Sequence, residues 1–407
     1  MNARECCASA SQARASRQPF RDVFMDGFVC AMSTPDHLAP SVCMTAVLPR
    51  PAIALACCLS LTSCERSSFA TGDLQLGAAG AWETGYGEMS HRGVDLAVEE
   101  LNRPGGIDGR KVTVIFRDDQ ADGGLAADIA REFVDDPTIL GVIGHLSSTA
   151  MVAAARVYDG QLPSLSPSAT SPDLSGMSSW MFRLNPSDSM TGRKLGEMAR
   201  KQSGKQRVAV IYDNTSYGRG LVEPFLDGLA LAPVALEPID PSGDSIAVNV
   251  AAIAKQKPDL IFAVGTVSGV PVLKALRAQG IMVPVIAGDG WSGIENAMDV
   301  HDVSIALPFS STEERPDAKR FVAAFRARYR LEPDAYAALS YDATLALARA
   351  AAKGRTRAGT REALASLRDT RGYATGAVRF SRAGDPIGRS MRLLHIDGAT
   401  RTFGVMQ

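Results

Sequence analysis

From Leu74 onward, short apolar runs alternate with stretches whose apolar residues recur at helical spacing. Val94, Ala97, Val98 and Leu101 give the stretch Met89 to Asn102 one apolar face, which predicts a helix. Pro104-Gly105-Gly106 ends it, and Val112 to Phe116 reads as a strand. A helix over Ala121 to Phe133 leads to Ile139 to Ile143, a run apolar on both faces, as strands of buried parallel sheets are. A helix over Ser148 to Tyr158 and a strand over Leu162 to Leu165 complete this set. After Ser187 the theme restarts. Helix 190–201 precedes strand 207–212 and helix 218–229, then helix 246–255, strand 260–264, helix 270–279 and strand 283–286. Helices are expected again at 316–329, 334–352 and 360–367, and the end, from Gly376, is strand-and-turn in character. Strands alternating with helices of this length predict doubly wound parallel sheets, and two successive sets predict two lobes. The expected fold is α/β, two Rossmann-like lobes joined by a multi-strand hinge. Lobe 1 is expected to comprise residues 74–188 and 313–388, and lobe 2 residues 189–312 and 389–407.

Cysteine placement separates this body from what precedes it. All seven cysteines lie at or before Cys64, so the body can hold no disulfide, no thiolate metal site and no cysteine nucleophile. Between Met44 and Cys64 stand Arg50, an apolar run from Ala52 to Leu59 too short to span a bilayer, and small residues before Cys64. That order describes a secretory signal over residues 44–63. Leu61-Thr62-Ser63-Cys64 resembles the bacterial lipobox, in which the cysteine is acylated and becomes the new N-terminus. Cys64 is therefore the expected lipid anchor, and residues 64–73 a tether. Residues 1–43, polar, Ser-rich and without pattern, are expected to precede a true start at Met44. The remaining chain shows no second membrane span. A formal net charge of −1 with no long basic run gives nucleic acid no face to bind.

Ligands of doubly wound sheets sit at the carboxyl ends of strands, beside helix N-termini. Three such places stand out. In Gly144-His145-Leu146-Ser147-Ser148-Thr149, hydroxyls and free N–H groups at a helix start suit an anion such as a carboxylate, although Ser148 could equally cap its helix. Ser166-Pro167-Ser168-Ala169-Thr170-Ser171-Pro172 is either an extended loop exposing donors or a plain turn. In the second half stand Tyr212-Asp213-Asn214-Thr215-Ser216-Tyr217-Gly218 and Gly288-Asp289-Gly290-Trp291. Asp289, between glycines at a strand end, is placed to meet a cation or to shape a turn.

These segments carry a resemblance. Together with Asn102-Arg103-Pro104-Gly105-Gly106-Ile107-Asp108-Gly109, Arg183-Leu184-Asn185-Pro186-Ser187-Asp188, Tyr217-Gly218-Arg219-Gly220, and Gly376 with Phe380 and Gly384-Asp385, the chain resembles the type I periplasmic solute-binding proteins, Leu/Ile/Val-binding branch. The resemblance implies that Ser148, the backbone of Ser168 and Ala169, and Thr170 hold a ligand carboxylate from the first lobe. It implies that Asp289 and Tyr217 hold the ammonium from the second, and that Tyr86 lines the side-chain pocket. It further implies delivery to an ABC permease with its ATPase, on the periplasmic side of a bacterial membrane, with no cofactor and no metal. The family's second-lobe aromatic after strand 260–264 has no match, since Gly265-Thr266-Val267-Ser268 stands there. Trp291 is the residue expected to fill that space or stack on the ligand. The positions that some relatives join by a disulfide are Ala121 and Ser147 here.

An enzyme is the first competing reading. His145 precedes Ser148 by three residues, but no nucleophile-elbow glycine pattern surrounds them, and none of the five histidines pairs at metal-ligand spacing. His145 is expected to be a structural residue. A second reading keeps the fold and changes the role, to a lipoprotein that senses an amide, an aromatic acid or another small solute for a signalling partner.

Overall fold

A computed structural model of the chain describes residues 72–202, 207–240, 242–266, 268–296 and 300–405. The N-terminal extension 1–43, the signal 44–63, Cys64, the tether up to residue 71, and Val267 lie outside the described residues. Gly72 and Asp73 are exposed, and their carbonyls accept hydrogen bonds from the Arg110 guanidinium at 2.8 and 3.3 Å.

Side-chain caps start seven of the ten described α-helices, and the central strands of both sheets are buried apolar runs. The first half runs β1 (Leu74–Gly80), α1 (Gly85–Asn102), β2 (Val112–Asp118), α2 (Gly123–Asp135), β3 (Ile139–Ile143), α3 (Ser148–Tyr158), β4 (Ser164–Ser166) and β5 (Met181–Arg183). Its five strands form one parallel sheet in the order β2-β1-β3-β4-β5. The second half begins with α4 (Asp188–Lys201), β6 (Val208–Asp213), α5 (Ser216–Leu229), β7 (Ala235–Ile239) and α6 (Ile246–Lys255). It continues with β8 (Leu260–Val264), α7 (Gly269–Ala278), β9 (Val285–Ala287) and β10 (Val303–Leu307). Three helices follow, α8 (Pro316–Tyr329), α9 (Ala335–Gly354) and α10 (Arg357–Ala365), then β11 (Arg368–Asp369), β12 (Val378–Arg379), β13 (Arg392–Asp397) and β14 (Thr400–Val405). The second sheet has the order β14-β13-β10-β9-β8-β6-β7, with β13 and β14 antiparallel at one edge. A short antiparallel pair, β11 with β12, stands apart.

Each sheet has an apolar core on both faces. Residues of α1, α8, α9 and α10 cover one face of the first sheet, and those of α2 and α3 the other. The second sheet packs against α6 and α7 on one face and α4 and α5 on the other. The chain thus leaves the first sheet at α4, returns at α8 and leaves again before β13. Fully buried Arg183, at the end of β5, donates to the Ser171 carbonyl at 2.8 Å, the Ser175 hydroxyl at 2.6 Å and Asp385 at 2.7 Å, pinning one crossing segment to another.

Several boundaries differ from the sequence reading for local reasons. The second helix starts at Gly123 rather than Ala121, because Gln120 and Ala121 take φ of 51° and 58° and Asp122 is the cap. The helix expected from Met89 starts at Gly85, where the Thr84 hydroxyl accepts the Gly87 N–H. Those expected from Met190 and Thr360 start at Asp188 and Arg357, capped by Ser187 and Thr356. The strands read at 162–165 and 283–286 lie one or two residues later, at β4 and β9.

Candidate functional site

Both sheets reverse their winding between neighbouring strands, β1 and β3 in the first and β6 and β8 in the second, and crevices open at the carboxyl ends of such pairs. The loops after β1, β3 and β4 and those after β6, β8 and β9 meet there around one inner cavity of about 70 Å³. Its walls include Tyr86, Leu146, Ser148, Ser168, Tyr217 and Asp289.

On the first-lobe side, the cap of α3 is Ser147, whose hydroxyl accepts the Ala150 N–H at 3.2 Å. Ser148 is therefore released from capping. Its Oγ accepts the N–H groups of Thr170 at 3.2 Å and Ser171 at 3.1 Å, which occupies both lone pairs and leaves its proton to donate. The N–H groups of Ser148 and Thr149 belong to the first turn of α3 and take no partner among the described residues. Ser168 is fixed by a 2.8 Å bond from its hydroxyl to the Leu146 carbonyl. Ala169 packs its side chain into the core, and its N–H donates to Ser166 Oγ at 3.2 Å, so it backs the loop. Thr170 is buried behind the cavity wall, its carbonyl accepting the Asp188 N–H at 3.0 Å and its hydroxyl in no hydrogen bond.

On the second-lobe side, Asp289 opens a short 3₁₀ turn, Asp289–Trp291, directly after β9. A Cβ at Gly288 would meet Tyr217 Oη at 2.5 Å, and one at Gly290 the Gly265 carbonyl oxygen at 2.3 Å. The two glycines let the turn lie flat on the Tyr217 ring. The Tyr217 hydroxyl donates to Asp289 Oδ1 and accepts the Gly290 N–H, both at 2.9 Å. Asp289 Oδ2 accepts the Asn185 amide at 2.7 Å. Burial pushes the Asp289 carboxyl up to about 6 against the pull of these donors.

Three contributors were given no site role by the sequence, although Asn185 and Asp188 lie in the Arg183–Asp188 signature. Asn185 holds Asp289 from the first crossing segment, and its own Oδ1 takes no partner. Asp188, fully buried, has neither carboxyl oxygen in a hydrogen bond. Burial and then the Asp289 charge raise it well above the ordinary carboxylate range, while the nearby Thr170 hydroxyl and Arg183 pull the other way. Tyr336, from the first turn of α9, lines the cavity and packs on Tyr86 with ring centroids 5.2 Å apart. Across the cavity mouth, the Ser216 N–H donates to Thr149 Oγ1 at 3.3 Å, a direct contact between the two halves.

Beyond this cavity lies a larger one of about 660 Å³, which shares Tyr86, Thr266 and Gly290 with the first. Trp291 lines it, with most of its indole buried in the second-lobe core and its Nε1–H in no hydrogen bond. His145 is turned away from Ser148: its Nδ1 lies 2.7 Å from Asp119 and its Nε2 3.1 Å from the Tyr158 hydroxyl, all buried. Among the described residues, no group of three or more His, Cys, Asp or Glu side chains is placed to hold a metal ion. No described helix is long and apolar enough to cross a membrane.

Comparison with known proteins gives this geometry its context. Residues 78–401 match the periplasmic binding protein family. An amino acid binding protein of Pseudomonas aeruginosa is 28% identical over 300 residues, covering 70% of this chain and 79% of that protein. Among solved structures, the branched-chain amino acid transporter substrate binding protein LivJ of Streptococcus pneumoniae, in complex with isoleucine, superposes with a TM-score of 0.75 at 25% identity. It covers 82% of this chain and 99% of its own. An ABC transporter substrate-binding protein of Desulfitobacterium hafniense, in complex with Leu, is 30% identical with a TM-score of 0.68, covering 82% of this chain and 100% of its own.

Proposed function

The chain belongs to the periplasmic binding protein family of non-enzymatic solute binders, and we propose that it captures a small amino-acid-like solute between two lobes and delivers it to an ABC importer. In this reading, lobe 1 is residues 74–188 with 313–388, and lobe 2 is residues 189–312 with 389–407. The observation that carries it is one cavity with opposite electrical ends. Ser148 and the free N–H groups of α3 offer donors to a carboxylate from one sheet, while buried Asp289, oriented by Tyr217, offers a negative charge from the other. The cost of taking a zwitterion out of water is offset only where both ends are paired, so a zwitterion fits this cavity and bridges the lobes. Ser168, Ala169 and Thr170 shape the carboxylate end, and Tyr86 stands where the side chain departs. The names of the relatives, amino acid binding and branched-chain amino acid substrate binding, support the same class.

Calorimetric titration of residues 65–407, which include one compact unit, with single amino acids tests the reading. Asp289→Ala leaves the ammonium unpaired and should weaken binding by about 2–5 kcal/mol. Wild-type affinity in that variant would remove the ammonium assignment. The proposal extends to the anchor: acyl chains on Cys64 would hold the protein at the membrane, each buried methylene contributing roughly 0.8 kcal/mol. Incorporation of labelled fatty acid, lost in Cys64→Ala, tests that part.

A further inference from the structure

The segments that carry the chain between the two sheets wall a third cavity, of about 250 Å³, which shares no lining residue with either cavity of the cleft. Pro186 enters it from the first crossing segment, Glu313 and Arg315 from the second, after β10, and Arg389 from the third, with Arg392 at the start of β13. Its charges do not balance: three guanidinium groups face one carboxylate. Arg315 Nε donates to Glu313 Oε2 at 3.1 Å and Arg392 Nη1 donates to Glu313 Oε1, so that carboxylate is already shared. A guanidinium carries five N–H groups. Arg315 uses one more, on the Ala374 carbonyl at 2.7 Å, while Arg392 lies over the Phe403 ring at 4.4 Å. Most donors of both are unspent among the described residues.

Arg389 differs, since it is buried and its N–H groups go to the carbonyls of Gly376 and Ala377 and to the Thr375 hydroxyl, all neutral. Its ion-pair partner, Asp342, stands 3.9 Å away and accepts the Ala374 and Thr375 N–H groups. Burial lowers the Arg389 pKa, Asp342 opposes this, and the Arg315 charge lowers it further, so the two guanidinium groups repel each other. Arg379 brings a fourth positive charge. Its Nη2 would lie 3.2 Å from a Cβ at Gly388 on the cavity wall, and its buried Nε has no hydrogen-bond partner. Asp317, which also acts on Arg315, is bound to Arg320 at 2.7 Å.

We propose that this cavity is a second binding site, for a divalent oxyanion of the phosphate or sulfate type, held between Arg315 and Arg392 with buried Arg389 adding its charge. Converging like charges repel, and a bound anion relieves that cost. The planar fork of a guanidinium matches two oxygens of such an anion, and Glu313, by gripping one edge of each fork, leaves the others free to bind. An anion bridging Arg315 to Arg392 ties the second crossing segment to the third, so it stiffens the joint between the sheets at a place the solute does not occupy.

Calorimetric titration of the purified full chain at pH 7.5 with inorganic phosphate and with sulfate tests it, whatever the solute of the cleft. One saturable site per chain is expected for at least one of the two. Arg315 and Arg392 are partly exposed, so their replacement leaves the core intact. Arg315→Gln and Arg392→Gln should each weaken binding about tenfold or more. Arg131→Gln, exposed on α2, lowers the net charge equally and should change it by less than about twofold. Phosphate should also slow hydrogen exchange in 310–315 and 387–392. Absence of saturable binding by either anion would overturn the proposal. So would wild-type affinity in both cavity variants, since the anion would then sit elsewhere. Chloride that displaces phosphate at equal concentration would overturn the choice of a divalent oxyanion.

Discussion

Asp289 has the burial of a core residue and the charge of a binding residue, and the two make its site titratable. Its carboxyl sits near pH 6 in the free protein because burial outweighs the donors Tyr217 and Asn185. Asp289 accepts two side-chain hydrogen bonds, whereas burial and then the Asp289 charge hold the Asp188 carboxyl well above the ordinary carboxylate range. On the proposed reading an ammonium ligand would pair with ionised Asp289, so below about pH 6 binding would first have to expel a proton. Affinity for the amino acid should hold from pH 8 to 7, then fall by up to about tenfold per pH unit below 6. Titrations at pH 7.5 and pH 5 check this, and Asp289→Asn should lose both the affinity and the slope. A flat profile would mean that Asp289 faces no cation. Of the residues expected at the strand ends, Ser148, Ser168, Tyr217, Asp289 and Tyr86 reach one cavity, whereas Ala169 and Thr170 lie behind its wall and Trp291 lines the neighbouring one. Asn185, Asp188 and Tyr336 were not legible in the sequence, because their proximity to Asp289 arises only when the crossing segment and α9 fold over the cleft.

Among the elements, helices were read better than strands, since a cap and a periodic apolar face are local signals and a sheet edge is not. Edge strand β7 alternates between half-buried and exposed residues and contains Pro238, which an edge tolerates because no neighbour needs its N–H. β10 is introduced by Asp302 at φ 53° rather than by a glycine or proline, so its turn left no mark in composition. Helix α9 shows how a cap couples to pH. Asp334 Oδ1 accepts the Ala337 N–H at 2.9 Å, yet burial and the nearby Glu295 push its carboxyl up to about 7. A carboxyl raised on folding adds stability that is complete below its unfolded value near 4 and lost as pH rises through 7. Asparagine keeps the accepting oxygen and cannot ionise. Asp334→Asn should therefore match the wild type in urea unfolding near pH 4 and exceed it by about 2–4 kcal/mol at pH 8. Equal stability of the two proteins at pH 8 would show that Asp334 is solvated as an anion.

For the molecule as a whole, the two sheets touch through the crossing segments and through a few polar contacts across the cleft. Ser216 to Thr149 joins the rims, and Asn185 to Asp289 joins the first crossing segment to the second sheet. The Ala335 N–H to Ser292 Oγ bond at 3.1 Å adds a third, between α9 and the turn after Trp291. A ligand bound to both sheets favours the closed arrangement by its differential contacts alone. At a hundred times its dissociation constant it would stabilise the protein by about 2.7 kcal/mol. Hydrogen exchange reads where that stabilisation lands. Saturating ligand should slow exchange in 144–149 and 168–171 of the first half and in 215–218 and 288–291 of the second, to a similar degree. The segment 184–188 between them should slow as well, because Asn185 bonds Asp289 and Asp188 feels its charge. Protection confined to 144–149 and 168–171 would describe an anion held by one lobe, with Asp289 a spectator. Protection on both sides that is lost from the second half in Asp289→Ala would tie closure to the ammonium end. In that outcome the acidic pair at the crossing is the element through which ligand charge sets the shape of the protein.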